Sequence, residues 1–361
     1  MVRSLVESTA RNVACLIRLP DAYSFAKRNL MKSESVIIMY HRISPRQEEW
    51  ALPRIRPETF EAHVRHFCRD YEIVSLEMLL ESSREKASVH RKMLAITSDD
   101  GYKDNYTYMF PILRKYSLPA TIFLATGHIN SDKLLWWDEV GYAILQTTTS
   151  RVKLDRVGTY SLPSHSDRLR VVSAITRKLH RLPDEGRRRA IGELIDICGV
   201  DTRDELAREL MLSWEEIAEM SEAGVDFGAH TVSHPVLTNM PPEEAESEIK
   251  QSKDDVERRT GVRADFFAYP HGAYSAPVAK IVERIGFRGA VTCDPNWIGK
   301  DSDPHQLGRI EAAEDYAELM LMLCGFSGDM QNMRSRFGSA ARTLRKAVRR
   351  VEPAEERVEA Y

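Results

Sequence analysis

Cysteine is scarce in this sequence, and its spacing excludes two common kinds of site. The cysteines are odd in number and none forms a CxxC pair, so neither a disulfide framework nor a thiolate metal site is predicted. They are Cys15, Cys68, Cys198, Cys293 and Cys324. We therefore expect reduced thiols that are packed inside the protein.

Long apolar runs and a large charge of one sign are also absent. Charged residues interrupt residues 1–20 at Arg3, Glu7, Arg11 and Arg18, which is unlike the unbroken apolar stretch of a signal peptide. No charge-free segment is long enough to span a bilayer, so a cytoplasmic location is expected. The formal net charge of -3 gives no long-range attraction to nucleic acid, and no nucleic-acid partner is predicted.

The sequence does contain short apolar runs that alternate with helical patterns. Its 43% of hydrophobic and 29% of charged residues fit a globular protein with a large core. The runs that predict strands lie at residues 35–40, 93–97, 120–125, 225–229, 265–268 and 289–292. Strands separated by helices favour a parallel α/β sheet or barrel.

Two of the intervening helices can be delimited by their end signals. Ser213 and Glu216 have the spacing of a capping box, and this helix is predicted to end at Gly224. A second helix is predicted to begin after the proline pair that ends at Pro242 and to end at Gly261.

The same patterns set the expected domain boundaries. Residues 35–325 are predicted to form the barrel, with an N-terminal helical extension at residues 1–34 and a basic C-terminal helix or tail at residues 326–361. Between about residues 147 and 211 the strand signals stop and charged helical sequence follows. We interpret this segment as a helical insertion.

Polar residues follow several of the predicted strands. They are Tyr40-His41, Asp99-Asp100, His230 and Tyr269-Pro270-His271. In a parallel barrel the C-terminal ends of the strands meet on one face, where catalytic groups are built. Residues far apart in the sequence are therefore expected to share one pocket.

Two of these clusters contain candidate metal ligands. Asp99 and Asp100 repel each other, so a cation is expected nearby, although an isolated Asp-Asp-Gly also occurs as a solvated turn. The loop from His230 to His234 offers two imidazoles, which could also be ordinary surface histidines. With one carboxylate they give three ligands and leave one position open, as in catalytic metal sites. Both clusters together favour a metal site.

These motifs resemble those of polysaccharide deacetylases with a NodB homology domain, in carbohydrate esterase family four. Asp-Asp-Gly at residues 99–101 resembles the first motif of that family, and His-Thr-x-x-His-Pro at residues 230–235 resembles the second. The resemblance covers about residues 35–314, apart from the insertion. It implies a distorted parallel β/α barrel that removes N-acetyl groups from an amino-sugar-containing oligo- or polysaccharide or its lipid-linked precursor.

The resemblance also implies a role for each residue. Asp100, His230 and His234 would hold a divalent metal, often zinc, that polarises the acetamide carbonyl and acidifies a water molecule. Asp99 would be the base that takes the proton of this water as it attacks. Acetate would leave, and a free amine would remain.

Residues 266–272 resemble the third motif, in the branch that reads Tyr-Pro-x-Gly. There the backbone N–H of His271 would face the developing oxyanion, but proline and glycine would shape a tight turn without catalysis too. Tyr269, Pro270 and Trp137 are the candidate substrate-binding residues. The tryptophan pair could stack on a sugar ring, or it could belong to the core.

Two departures from the family pattern concern the base. Ser98 replaces a bulky apolar residue of the first motif, which alters packing behind the carboxylates but not the ligand set. Ala268 stands where many relatives carry the arginine that steadies the base. Arg309, which precedes a late strand, is the candidate substitute.

A third departure concerns the acid. No Leu-x-x-His pattern follows Gly289, so no motif identifies the histidine that protonates the leaving amine. His41, His271 and His305 are the candidates. His41 has the best placement, directly after a strand, but it could instead bond to its neighbouring loop.

The C-terminal tail has the pattern of a basic amphipathic helix. Apolar residues recur at helical spacing, at Phe337, Ala341, Leu344, Val348 and Val351, with arginine and lysine around them. Such a helix can lie on an anionic membrane surface, which would place the enzyme beside a lipid-linked sugar. Docking on the barrel with a solvated basic face is the alternative.

Three functions stay open on the sequence alone. The first is the deacetylase, and the second is a hydrolase of another amide or a cyclic imide on the same fold. The third is a catalytically inactive sugar-binding protein. Asp99 beside the metal-binding residues argues against the third function, while the missing acid motif argues for it.

Overall fold

The computed structural model describes residues 35–46, 54–84, 92–200 and 205–323, without the side chains of Glu205 and Leu321. The predicted N-terminal extension at residues 1–34 and the predicted basic tail at residues 326–361 lie outside these ranges. The membrane contact expected of that tail therefore stays a prediction.

Parallel strands form the centre of the protein, and a separate hairpin lies later in the chain. The strands are β1 (Val36–Tyr40), β2 (Glu72–Ile73), β3 (Met93–Ser98), β4 (Thr121–Leu124), β5 (Arg151–Leu154), β6 (Gly158–Ser161), β7 (Asp226–Ala229), β8 (Phe266–Ala268), β9 (Gly289–Val291) and β10 (Ile310–Glu311). The main sheet has the order β10-β1-β3-β4-β7-β8-β9, with β2 beside β3. All six predicted strands are present in it.

The main sheet curls back on itself. Ile310 of β10 pairs in parallel with Ile38 of β1, and Leu307, just before β10, forms a parallel bridge to Val291 of β9. The same short segment thus contacts both ends of the strand order. This arrangement is the curled parallel sheet with flanking helices that the sequence predicts.

Burial explains why the strand pattern was readable. Every residue of β1 is buried, and in β3 only Met93 is partly exposed. A parallel strand covered by helices on both faces reads as a continuous apolar run, because neither face meets water.

Helices cover the sheet and fill the long connections. They are α1 (Pro57–Asp70), α2 (Leu76–Arg84), α3 (Phe110–Tyr116), α4 (Trp136–Gln146), α5 (His165–Leu179), α6 (Asp184–Cys198), α7 (Glu205–Leu210), α8 (Trp214–Glu222), α9 (Pro242–Thr260), α10 (Ala276–Ile285) and α11 (Tyr316–Leu323). Among the described residues, no helix combines the length and apolar character needed to cross a bilayer.

The two helices predicted from their end signals are confirmed. Ser213 and Glu216 form both hydrogen bonds of a capping box at the start of α8, which ends two residues before Gly224. Helix α9 begins at Pro242 and ends against Gly261, whose φ of 70° provides the left-handed C-cap.

The segment at residues 147–211 is not helical throughout. Helices α5, α6 and α7 lie in it, but the antiparallel hairpin of β5 and β6 precedes them. In β5 the exposed Arg151 and Lys153 alternate with the buried Val152 and Leu154. This period of two is the strand signal that the helical interpretation missed.

Contacts between residues divide the chain into two compact units. One contains residues 31–316 and therefore the whole sheet. The other contains residues 1–30 and 317–361, of which the structure describes residues 317–323, the helical part of α11 after Tyr316.

Close packing around β7 leads to a stability prediction. A Cβ atom at Gly228 would lie 2.5 Å from ring atoms of Phe123 and 2.8 Å from the carbonyl oxygen of Phe266. We expect Gly228→Ala to lower the free energy of unfolding by about 1–3 kcal/mol, because a central strand has no room to yield. Urea unfolding measures this change.

Gly192→Ala is the matched control. Gly192 lies exposed in α6, and a Cβ atom there meets nothing within 4 Å. Alanine in a helix interior should raise stability by about 0.5–1 kcal/mol. Equal effects of the two substitutions would contradict this packing of β4, β7 and β8.

Candidate active site

The two adjacent aspartates lie in a sharp turn at the end of β3. Asp100 and Gly101 both have left-handed backbone, with φ of 76° and 81°. Aspartate and glycine tolerate this region better than most residues. The turn separates two carboxylates that adjoin in sequence: Asp99 faces Arg309, while Asp100 faces two histidines.

Asp100, His230 and His234 form a buried cluster that could hold a metal ion. Their ligand atoms all lie within 4.8 Å of one another. Nε2 of His234 is 3.2 Å from Oδ1 of Asp100 and 3.1 Å from Nε2 of His230, which is 3.5 Å from the same oxygen. The three residues predicted as ligands are thus brought together.

The orientation of the ligand atoms in the cluster fits a cation. Nδ1 of His230 donates to the carbonyl oxygen of Ala268 at 2.7 Å, which leaves the lone pair of a neutral imidazole on Nε2. Burial lowers the pKa of His234 to about 4, so this ring is neutral at neutral pH. Both oxygens of Asp100 are buried, and neither has a hydrogen-bond partner among the described residues. A divalent cation satisfies these lone pairs.

The loop that carries the histidines is held at its back by α9. Glu248 accepts hydrogen bonds from the backbone N–H groups of Val232, at 2.8 Å, and Ser233, at 2.9 Å. It also accepts one from the Ser233 hydroxyl at 2.7 Å. Thr231 and His234 have left-handed backbone, with φ of 65° and 54°. These bonds fix a strained loop in the shape that points both imidazoles at Asp100.

Asp99 is paired with Arg309 in the interior. Both residues are essentially inaccessible, and the guanidinium donates two parallel hydrogen bonds, at 2.7 Å and 2.6 Å, to the carboxylate oxygens. Arg309 is itself oriented by the carbonyl oxygen of Thr292 and the hydroxyl of Thr97. Burial favours the neutral acid, but Arg309 outweighs it and lowers the pKa of Asp99. Asp99 is therefore an ionised carboxylate.

His271 lies in the turn after β8 and packs on the metal-site histidines. Its φ is 58°, and its ring centre is 4.6 Å from that of His234 and 5.7 Å from that of Trp137. On its other side it contacts His180, at 4.7 Å between ring centres. His180 follows α5 in the segment predicted as an insertion, and no motif in the sequence marks it.

Trp137 belongs both to the core and to the wall of the site. It is 9% exposed, and its ring centre is 4.7 Å from that of His234. The indole N–H donates to the hydroxyl of Tyr102 at 3.0 Å, and this hydroxyl donates to Asp138 at 2.7 Å. These bonds fix the indole ring, which packs against His234 in a T-shaped arrangement and exposes little surface to solvent.

His41 is half-buried beside the aspartates. Its backbone carbonyl accepts from Ser98 and from Asn105, which ties the loop after β1 to the end of β3. Of the three acid candidates, His41 and His271 therefore lie at the site.

Three other candidate residues pack into the core or bond elsewhere. Tyr269 is fully buried in the core, and its hydroxyl donates to the carbonyl oxygen of His305. Pro270 is also buried and begins a short 3-10 turn. The ring of His305 bonds to the carbonyl oxygen of Phe287 at 3.0 Å, and none of its described contacts reaches the aspartates.

A second histidine escaped the sequence motifs. His128, in the 3-10 turn Thr126–His128 after β4, is buried, and its Nδ1 bonds to the carbonyl oxygen of Lys133 at 3.1 Å. In the same turn, the backbone N–H groups of Thr126 and Gly127 donate to the carbonyl oxygens of Thr231 and Val232 at 3.1 Å and 2.9 Å, so the turn lies against the second ligand loop. In the sequence, only its place shortly after the predicted strand that ends at Ala125 could have indicated His128.

The curled parallel sheet and this aspartate-histidine site define a class of barrel hydrolases in which strand ends present the reactive groups. The family model described as polysaccharide deacetylase matches residues 86–290, more than half of the chain. The chain belongs to the polysaccharide deacetylase family. It is therefore a hydrolase of the carbohydrate N-deacetylase class.

Known proteins agree with this assignment. YxkH of Bacillus subtilis (strain 168), whose name assigns it to the polysaccharide deacetylases, is 23% identical over 279 residues, 77% of this chain and 71% of the relative. The Streptococcus pyogenes deacetylase PplD, solved in complex with acetate, has a TM-score of 0.55 at 20% identity and covers 81% of this chain and 98% of its own. IcaB from Ammonifex degensii has a TM-score of 0.54 at 15% identity, over 81% and 99%. The two structures share the fold.

Proposed function

We propose that this protein is a divalent-metal-dependent deacetylase, which removes N-acetyl groups from an amino-sugar-containing oligo- or polysaccharide or its lipid-linked precursor and releases acetate. One observation carries the proposal. A buried Asp-His-His cluster with unshared lone pairs lies beside a second aspartate that a buried arginine keeps ionised. A cation site next to a base is the arrangement that amide hydrolysis by water requires.

Asp100, His230 and His234 are the residues that would hold the metal, and we propose zinc, which favours imidazole and carboxylate ligands. When bound, the cation polarises the acetamide carbonyl and lowers the pKa of a water molecule. The carbonyl of Ala268 keeps the Nε2 lone pair of His230 directed toward the cluster. The protein therefore orients this ligand atom through its own backbone.

Asp99 is the base in this proposal. It accepts a proton from the water that attacks the acetamide carbon, and the C–N bond then breaks to give acetate and the amine. Arg309 keeps the carboxylate ionised and fixes its orientation through two hydrogen bonds. Many relatives steady the base with an arginine at the position of Ala268. In this proposal Arg309, just before β10, has that function.

His41 is the residue that we propose as the proton donor to the leaving amine. It is half-buried, and its backbone carbonyl accepts a hydrogen bond from Ser98, the residue before the two aspartates, whereas His305 is engaged elsewhere. His271 contributes its backbone N–H, in the turn after β8, to the oxyanion.

Support of the ligand loop gives a prediction about metal affinity. Glu248→Ala removes three hydrogen-bond acceptor contacts from residues 232 and 233, so we expect zinc affinity to fall about 10- to 100-fold. Competition with a chromophoric chelator measures the affinity. Glu246→Ala is the control, because Glu246 lies on the same helix but pairs with Arg284 at the surface.

Zinc affinity that falls equally in the two variants would show a general effect of altering α9. An unchanged zinc affinity in Glu248→Ala would show that the loop keeps its shape without this carboxylate. It would contradict the proposal that Glu248 holds the loop in place.

A substrate panel tests the proposed function. Purified full-length protein with zinc restored is incubated with N-acetylated oligosaccharides, with O-acetylated sugars and with a cyclic imide, and acetate or acid release is measured. Acetate from N-acetylated sugars alone supports the proposal. Turnover of the imide alone, or sugar binding without turnover of any compound, would replace it with one of the two other functions considered for this fold.

A further inference from the structure

Around His271, three buried side-chain nitrogen atoms have no hydrogen-bond partner among the described residues. They are Nε1 of Trp136, Nη1 of Arg187 and Nε2 of His271. A buried donor without an acceptor costs about 1–3 kcal/mol, and native structures contain few of them. Two of the three, at Trp136 and Arg187, are donors in every protonation state, and their proximity points to a bound group that supplies acceptors.

The residues form one continuous cluster. Cζ of Arg187 lies 5.3 Å from the ring centre of Trp136, whose ring centre is 6.1 Å from that of His271. His180 lines the same cluster, with its ring 4.7 Å from His271. Trp136 is 8% exposed and Arg187 is 2% exposed, so both side chains are fixed by packing. Indole and guanidinium nitrogens can only donate, so the ligand must offer oxygen acceptors.

The charge of the cluster favours an anion. Asp184 pairs with Arg187 and also, at 2.9 Å, with Arg188, so one carboxylate faces two guanidinium groups. Nη2 of Arg187 bonds to this carboxylate, while Nη1 has no partner among the described residues, so Nη1 is the nitrogen available to an anionic oxygen. Burial lowers the pKa of His180, and the positive charges of Arg187 and Arg181 lower it further.

We propose that Trp136, His180, Arg187 and His271 form a subsite for a negatively charged, oxygen-rich group of the substrate, a carboxylate or a phosphate. The inference rests on the proposed function, because it names the class of acetylated sugar that this site would accept. The ring of His271 packs directly on His234, so the subsite lies one side chain away from the metal-site residues. That spacing suits a substituent of the acetylated sugar or of the next sugar unit.

The segment after β4 acquires a role in this proposal. Helices α5 and α6 place His180 and Arg187 at the cluster, while Trp136 begins α4. The inserted helices therefore select the substrate, whereas the strand ends carry out the chemistry.

The test compares three substrates that share one N-acetylated hexosamine: its neutral methyl glycoside, its phosphomonoester and the corresponding uronic acid. The zinc-loaded full chain is measured as wild type and as Arg187→Gln, Arg187→Lys and Arg188→Gln. We expect kcat/KM of the wild type to be about 10- to 100-fold higher for a charged substrate than for the neutral one. Arg187→Gln should bring this ratio close to one, and Arg187→Lys should lower it less, because a charge remains.

Arg188→Gln is the matched control, because Arg188 pairs with the same carboxylate but is 65% exposed. It should keep the preference of the wild type. The two charged substrates show whether phosphate or carboxylate is the natural group. Equal rates for neutral and charged substrates, or a preference that survives in Arg187→Gln, would overturn the subsite. If Arg187→Gln does not fold, Arg187→Lys against Arg188→Gln gives the same comparison.

Failure of the proposed function is distinguishable from failure of the subsite. If no substrate releases acetate, binding of the sugar phosphate is measured by tryptophan fluorescence. Binding that Arg187→Gln abolishes and Arg188→Gln keeps would still support the subsite, whereas absence of binding to the wild type would overturn it.

Discussion

Replacing Asp99 by asparagine should lower kcat/KM for acetate release by about 10²- to 10⁴-fold, the usual contribution of a general base. An amide cannot accept the proton of the attacking water. Zinc should still bind, because Asp100, His230 and His234 are unchanged. Acetate release and zinc content are measured on the same preparations, at a temperature at which circular dichroism shows both proteins folded.

Asp226→Asn is the control for this substitution. Asp226 is exposed at the start of β7, whereas His230 follows the end of this strand. The charge of Asp226 should therefore not affect turnover. If Asp99→Asn kept the wild-type rate, another group would have to be the base.

Arg309→Met should cause the largest loss of stability. It leaves the buried carboxylate of Asp99 without a partner, which typically costs about 3–5 kcal/mol. With Arg309 present, the pKa of Asp99 in the folded protein lies below its ordinary value of 3.8. The pair therefore stabilises the protein above pH 3.8, and this contribution disappears as the pH falls through the lowered pKa. The difference in the free energy of unfolding between Arg309→Met and the wild type should therefore be largest at neutral pH and should shrink in acid.

The double variant Asp99→Asn with Arg309→Met separates stability from chemistry. It contains no unpaired buried charge, so it should be more stable than Arg309→Met alone, while its acetate release stays lost. Urea unfolding of wild type, both single variants and the double variant gives the coupling energy. A coupling near zero would mean that the two side chains do not form the pair described here.

The barrel strands could be predicted because burial on both faces leaves continuous apolar runs. The residues of the Asp-His-His cluster, which could hold a metal, were identifiable because they lie directly after such runs, at Asp100 and His230. The topology of a parallel barrel then brings strand ends together without any knowledge of side-chain contacts. Arg309 was proposed on other grounds, because Ala268 stands where many relatives carry an arginine and Arg309 lies near a late strand.

Other parts depended on packing that the sequence does not display. The hairpin of β5 and β6 alternates over only four residues in each strand, which is too short to stand out beside long helical patterns. His180 reaches the site only because α5 folds back toward the turn at His271. Tyr269 follows a strand as a catalytic residue would, yet its side chain points into the core.

Metal dependence is measured as acetate release by metal-free protein before and after zinc is restored, with His230→Ala treated in parallel. The full-length chain is stripped with a chelator, dialysed, and assayed on the best N-acetylated oligosaccharide of the panel, and zinc is counted in each sample. We expect no acetate release without metal, full acetate release with one zinc per chain, and no recovery of activity in His230→Ala. Full activity of the metal-free protein, or recovery of His230→Ala by stoichiometric zinc, would contradict it.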